Sequence, residues 1–156
     1  LGEPVRTLPT TFAGTLPPEF PRAEVFCPGC LVVQGRAFAQ DRGAAAALAK
    51  CESLRDWPLV VLVDDAAKAA KSSVNFLWTT FTRFEPAADL HARELSLVRT
   101  QPCWTPPIVI DARMKPSYPK ELFCDPVTAQ KVSARWREYF PSAKVAMGDS
   151  DRGHLD

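Results

Sequence analysis

The chain has 156 residues and a mass of 17.2 kDa, the size of one domain and too small for two full ones. Its 46% hydrophobic and 24% charged residues are those of a globular protein, which excludes a disordered chain. With 19 Lys+Arg against 18 Asp+Glu the formal charge is +1, so the basic footprint of a nucleic-acid binder is missing, and no apolar run approaches a membrane span.

No signal-peptide pattern opens the sequence, and its first residue is Leu, so the expectation is a cut or processed chain. Five cysteines, an odd count, fit a closed disulfide framework poorly and point to a reducing, cytoplasmic setting. Of the 15 prolines, 11 cluster in residues 4–28 and 102–119. Prolines are excluded from helix interiors and central strands, so both clusters read as extended arms wrapping over a core.

In chain order, residues 1–26 read as a linker or wrapping arm. Cys30–Gln34 is a short β-branched run that reads as a strand closed by Gly35. Residues 41–53 follow as a helix, capped by Asp41 and rich in alanine. Leu59–Val63 is continuously apolar and stops at Asp64 and Asp65, the pattern of a strand buried on both faces. Ser72 or Ser73 caps the next helix. Its apolar residues Val74, Leu77, Trp78 and Phe81, with Phe84 on the flank, fall on one face, which predicts that this face is buried. A strand is a candidate over residues 94–98, and residues 107–111 repeat the pattern of an apolar strand ending in an acid. Asp125 and Pro126 start a last helix whose expected buried face is Val127, Val132, Trp136 and Tyr139 or Phe140. The tail over 142–156 is polar. Strands alternating with helices predict an α/β fold: a small, mainly parallel sheet of about four strands flanked by helices, with proline-rich extended arms.

Three groups of residues could carry chemistry. Cys27 and Cys30, two residues apart, could form a redox dithiol or half a zinc site; the strand-like run after Cys30 favours a turn with two packed thiols. Asp64, Asp65 and Asp111 stand at the carboxyl ends of buried strands, where open α/β sheets bind ligands; capping of loops and helices is the competing explanation. No glycine follows in residues 66–71, which excludes a phosphate-cradling loop. Arg83 is expected to cap the end of its helix and to pair with Asp89. His91 and His154 have no nucleophile beside them in sequence, so a catalytic triad lacks support.

Three stretches in series resemble the C-terminal α/β domain of the UbiD-type decarboxylases. Val60-Val61-Leu62-Val63-Asp64-Asp65 is similar to the family's valine-rich strand ending in aspartates. The segment Leu77-Trp78-Thr79-Thr80-Phe81-Thr82-Arg83-Phe84-Glu85-Pro86-Ala87-Ala88-Asp89 is similar to its Leu-Trp-x-x-x-Thr-Arg-x-Asp-Pro-x-x-Asp helix and turn. Ile110-Asp111-Ala112-Arg113-Met114-Lys115, followed by the Trp136 helix, resembles its Ile-Asp-Ala-Thr segment and closing Arg-Trp helix. Order and spacing agree over about residues 30–140. Where the family's acids continue, this chain has Ala66-Ala67-Lys68, and Val109 stands where the family often has Gly.

The resemblance implies reversible, non-oxidative decarboxylation of aromatic or unsaturated acids by a parent enzyme using prenylated FMN. It also implies that the flavin and the acid/base residues belong to a different domain. No catalytic, cofactor-binding or metal-binding residue is therefore assigned in this chain. The expected organisation is an arm over 1–26, the α/β domain over 27–141 and the tail. The expected role is that of a lid and assembly surface, inactive alone, with a second copy or a catalytic domain as partner and neither nucleic acid nor membrane. The alternatives are a thiol-redox or zinc module on Cys27 and Cys30, and a small self-sufficient α/β enzyme using Asp64, Asp65 and Asp111.

Overall fold

The structure is a computed structural model that describes residues 7–119 and 125–142. Cys124, His154 and nearly all of the polar tail lie outside the described residues. The chain divides into two compact units, Leu1–Tyr118 and Pro119–Asp156.

In the first unit, β1 (Arg22–Cys27), β2 (Cys30–Gln34), β3 (Leu59–Val63), β4 (Leu90–Val98) and β5 (Gln101–Asp111) form a mixed sheet of order β1-β2-β3-β5-β4. The neighbours β2, β3 and β5 run parallel, while β1 and β4 are antiparallel edges. The expected α/β architecture with a mainly parallel centre is present. The addition is β1, which lies inside the segment read as an arm. Its alternation of Arg22 and Glu24 with Ala23 and Val25 is a half-buried strand pattern hidden behind Pro21.

The apolar runs of β2 and β3 are continuous because each strand has a core on both sides. On one face Leu31, Val33, Val60, Leu62 and Val109 pack with Phe20, Leu54, Trp57 and the helix α1 (Ala44–Ala49). On the other, Val32, Val61 and Val63 pack with the short helix α2 (Ala66–Ala70) and with Phe76 of α3 (Ser73–Thr82). Phe12 lies against the first core, and Phe26 stacks on Phe76 at 3.9 Å between ring centroids. These aromatics of the N-terminal segment cover their own domain.

The second proline cluster also departs from expectation. Pro102, Pro106 and Pro107 lie within β5, which is a central strand only where Ile108 to Asp111 pair with β3. Before Ile108, β5 pairs with β4 alone, so prolines without an N–H interrupt no ladder on its other side. Residues 94–105 thus form a two-stranded ribbon running out from the sheet. It closes on Arg99 and Thr100, both at positive φ (49° and 67°), the two-residue turn whose twist suits a hairpin.

Helix α3 starts where expected, with the Ser72 hydroxyl accepting from the Asn75 N–H, but it buries the opposite face. Asn75, Phe76, Thr79 and Thr80 are buried, whereas Val74, Leu77, Trp78 and Phe81 are exposed, Phe81 by 63%. The cause is local. Asn75 donates to the Lys68 carbonyl at the end of α2 (2.8 Å), and Phe76 stacks on Phe26, so this side faces the sheet.

In the second unit, α4 (Pro126–Ala134) starts at Asp125, whose carboxylate accepts from the Thr128 N–H and hydroxyl. A turn of helix, α5 (Trp136–Tyr139), follows. The expected apolar face is not buried here either: Val127, Tyr139 and Phe140 are exposed, and Val132 and Trp136 are half-buried.

Candidate functional site: charges at the strand ends

The carboxyl ends of β3 and β5 gather six charged side chains that are far apart in sequence. β3 delivers Asp64, and β5 ends in Asp111 and continues into Arg113 and Lys115. The C-terminus of α3 supplies Arg83, and the turn before β4 supplies Asp89.

At the centre, Arg113 Nε and Nη2 meet the two carboxylate oxygens of Asp111 at 2.9 and 2.6 Å. Both residues are buried, Arg113 completely. Its remaining Nη1 donates to the Arg36 carbonyl at 2.7 Å, and the guanidinium lies 5.4 Å from the centre of the Phe38 ring. A buried guanidinium is tolerable only with its donors satisfied and its charge matched, and both conditions hold.

Lys115 forms the second knot. Its ammonium pairs with Asp89 at 2.8 Å and donates to the Arg83 carbonyl at 2.6 Å and to the Asp111 carbonyl. It therefore supplies the cation expected at the C-terminus of α3. Asp89 also accepts from the Glu85 N–H at 2.7 Å. The expected pair of Arg83 with Asp89 does not form, because that local turn and Lys115 already hold the carboxylate. Arg83 Nη1 reaches Asp64 at 3.2 Å, and Asp64 also accepts from the Met114 N–H at 2.8 Å.

Three acids thus meet three cations, and each acid tethers one strand end to the next segment of chain. Asp65 stands apart: it caps α2 by accepting from the Lys68 N–H. The sequence-based candidates Asp64, Arg83, Asp89 and Asp111 are brought together. Sequence reasoning misses Arg113 and Lys115, which hold the cluster. Their signal is present as Arg-x-Lys following a strand-end acid, but exposed loops carry the same residue types.

The two spaced cysteines flank a hairpin turn. Cys27 and Cys30 face each other across β1 and β2, and Pro28-Gly29 turns the chain with Gly29 at φ 79°. Pro then Gly is the pairing that such a turn selects. Burial and the neighbouring Cys27 push the Cys30 thiol up to about 12, so its thiolate is disfavoured. Cys27, Cys30, Cys51 and Cys103 are free thiols, and no group of three or more metal-binding side chains occurs among the described residues. A redox or zinc module is not favoured.

No family model matches the chain. It is 42% identical over 145 residues to a Chlamydia pneumoniae protein named as a subunit of 4-hydroxybenzoate decarboxylase, covering 93% of this chain and 24% of that one. This likeness to a named decarboxylase subunit supports the resemblance to the UbiD-type decarboxylases. A Chlamydia trachomatis protein is 43% identical over 141 residues, 90% of this chain and 24% of its own length. The chain therefore spans about a quarter of the length of these relatives. Among solved structures, a chain of the Sedimentibacter hydroxybenzoicus vanillic acid decarboxylase in open form aligns at 15% identity and a TM-score of 0.42, over 73% of this chain and 27% of that one.

The residues of the strand-end cluster do not fit the prenylated FMN that the resemblance implies. A flavin phosphate needs free cationic donors or a row of backbone N–H groups. Arg113 and Lys115 are already engaged by carboxylates and carbonyls, and Asp64 takes a guanidinium nitrogen of Arg83. No helix among the described residues is long and apolar enough to cross a membrane.

Proposed function

We propose that this chain is a non-catalytic part of a UbiD-type decarboxylase acting on an aromatic or unsaturated acid, with a lid and assembly role. The observation that carries this reading is the closure of the strand-end cluster. At the sheet edge where an α/β protein would place reacting groups, the carboxylates hold arginine, lysine and backbone N–H groups of the same unit. A general acid or base must keep a proton site open toward its substrate, and these do not. Prenylated FMN and the reacting residues then belong to other polypeptide, and this chain contributes by excluding water and positioning.

The apolar faces left on the surface support an assembled state, with a catalytic domain or a further copy as partner. Free thiols support the reducing, cytoplasmic setting. Carbon dioxide release from carboxyl-labelled 4-hydroxybenzoate by the purified chain, with prenylated FMN added, tests the proposal. No release above the protein-free control is expected. Turnover that follows protein concentration would overturn it.

A further inference from the structure

The root of the β4–β5 ribbon is a joint. Every residue from Glu94 to Pro106 is exposed, whereas Pro107 is buried and Val109 belongs to the core. At the boundary Arg93 of β4 stands opposite both Pro106 and Pro107 of β5, because Ala92 pairs with Ile108 and Glu94 with Thr105. Neither proline has an N–H, so β5 donates no backbone hydrogen bond to β4 at this point, and an inserted residue bends the strand that carries it. The pairing resumes at Glu94 and Thr105 and continues to the turn. The ribbon is thus one paired piece attached to the sheet through a weak point.

Side chains take over at the joint. Arg93 donates to the Glu52 carboxylate at 2.8 Å and to the Cys51 carbonyl at 3.2 Å, which ties the sheet side of the joint to the short helical turn Glu52–Leu54. Glu52 also holds Arg55 at 3.2 Å. Beside these groups lies an open cleft of about 450 Å³ whose charged lining is Glu52, Arg55, Arg93 and Glu94. Its charges are unevenly matched. Glu52 serves two arginines, Glu94 has no cation among the described residues, and Arg93 Nε is buried without a hydrogen-bond partner. Two acids and two arginines on one cleft can pair in two ways. Arg55 and Glu52 are 70 and 68% exposed, and a pair so exposed exchanges readily.

We propose that the ribbon of residues 94–105 is a hinged flap that swings as one piece about the joint at Arg93 and Pro106-Pro107. In the position the structure holds, Arg55 pairs with Glu52 and the cleft is open. In the second position Glu94, on the ribbon side of the joint, takes Arg55 from Glu52 and the cleft closes. Arg93 stays with Glu52 in both and marks the pivot. The closed position gives each acid one arginine, which balances the smaller number of contacts that Glu52 then makes. This deepens the lid role proposed above, and rests on that reading, by naming the part that moves.

Paired electron spin labels on the 156-residue chain read the swing. One label sits at Val98→Cys, about 16 Å beyond Arg93 along the strand, where a small rotation at the joint gives a large displacement. The other sits at Ala47→Cys, an exposed position of α1, in a background of Cys27→Ser, Cys51→Ser, Cys103→Ser and Cys124→Ser. Two distance populations are expected. Glu52→Ala frees Arg55 and should raise the ratio of closed to open about two- to fivefold, and Glu94→Ala should lower it by a similar factor, the range of an exposed ion pair. Two exposed acids on one cleft then act in opposite directions, which loss of surface charge alone does not produce. Hydrogen exchange separates swinging from unravelling: the paired amides of the ribbon should exchange no faster in Glu52→Ala than in the parent chain. A single distance in all three proteins, shifts in the same direction in both variants, or faster exchange along the ribbon of Glu52→Ala would overturn the proposal. The distances are read without substrate or cofactor, so their failure leaves the absence of turnover standing, and turnover by the chain would leave the distances as they are.

Discussion

The strand-end cluster and the β4–β5 ribbon are opposite solutions to folding one chain. At the strand ends charge is buried or half-buried, and every acid has a cation and a backbone partner. On the ribbon and on the outer face of α3, apolar side chains are left in water. The usual arrangement puts apolar groups inside and charge outside. Its local inversion separates two jobs. The buried charges fix where loops leave the sheet, and the exposed apolar surface is available to another molecule.

The largest test of the comparison is Arg113→Met. Removing one partner of a buried pair leaves Asp111 uncompensated, so a loss of about 3–5 kcal/mol is expected from urea denaturation. The double variant Arg113→Met, Asp111→Leu should recover part of that loss, because no buried charge then stands alone. A single variant with an unchanged midpoint would show the pair to be dispensable and the cluster free for another role.

Arg83→Ala should cost less, about 1–2 kcal/mol, since its partner Asp64 is partly exposed and keeps the Met114 N–H. A loss as large as that of Arg113→Met would move Arg83 into the buried group. Leu77→Lys sharpens the other side. Were Leu77 in the core, the change would cost several kcal/mol; on the exposed face it should stay within about 0.5 kcal/mol.

The smallest effect concerns the hairpin thiols. Because the folded protein raises Cys30 from its ordinary 9.0 to about 12, the thiol form is favoured in the folded state. The linked stabilisation is complete below about pH 9 and is lost as pH rises toward 12. Mass spectrometry after iodoacetamide at pH 8 should find Cys27 alkylated and Cys30 protected. Equal labelling would reopen the dithiol reading.

The contrast also explains what could be read from the sequence. β2 and β3 were legible to the residue, because a strand buried on both faces leaves an uninterrupted apolar run bounded by polar residues. The period of α3 identified the helix but pointed to the wrong face. Periodicity reports which residues are apolar, and what covers them depends on Asn75 reaching Lys68 and Phe76 reaching Phe26. Prolines hid β1 and the first half of β5, since a strand with one unpaired edge tolerates them. In the cluster, the acids at the strand ends were legible from position alone. Their partners were not: Asp64 lies 19 residues from Arg83 and 50 from Met114, and only the parallel pairing of β3 with β5 brings these segments together.

The central claim is that the arginines and the lysine at the strand ends are engaged within the chain and leave no cationic site there for a flavin phosphate. The most direct measurement is the absorption spectrum of the 156-residue chain after incubation with prenylated FMN and desalting. A colourless protein with no flavin absorbance above the protein-free control is expected. A stoichiometric flavin spectrum, lost on Arg83→Ala or Lys115→Met, would contradict the claim.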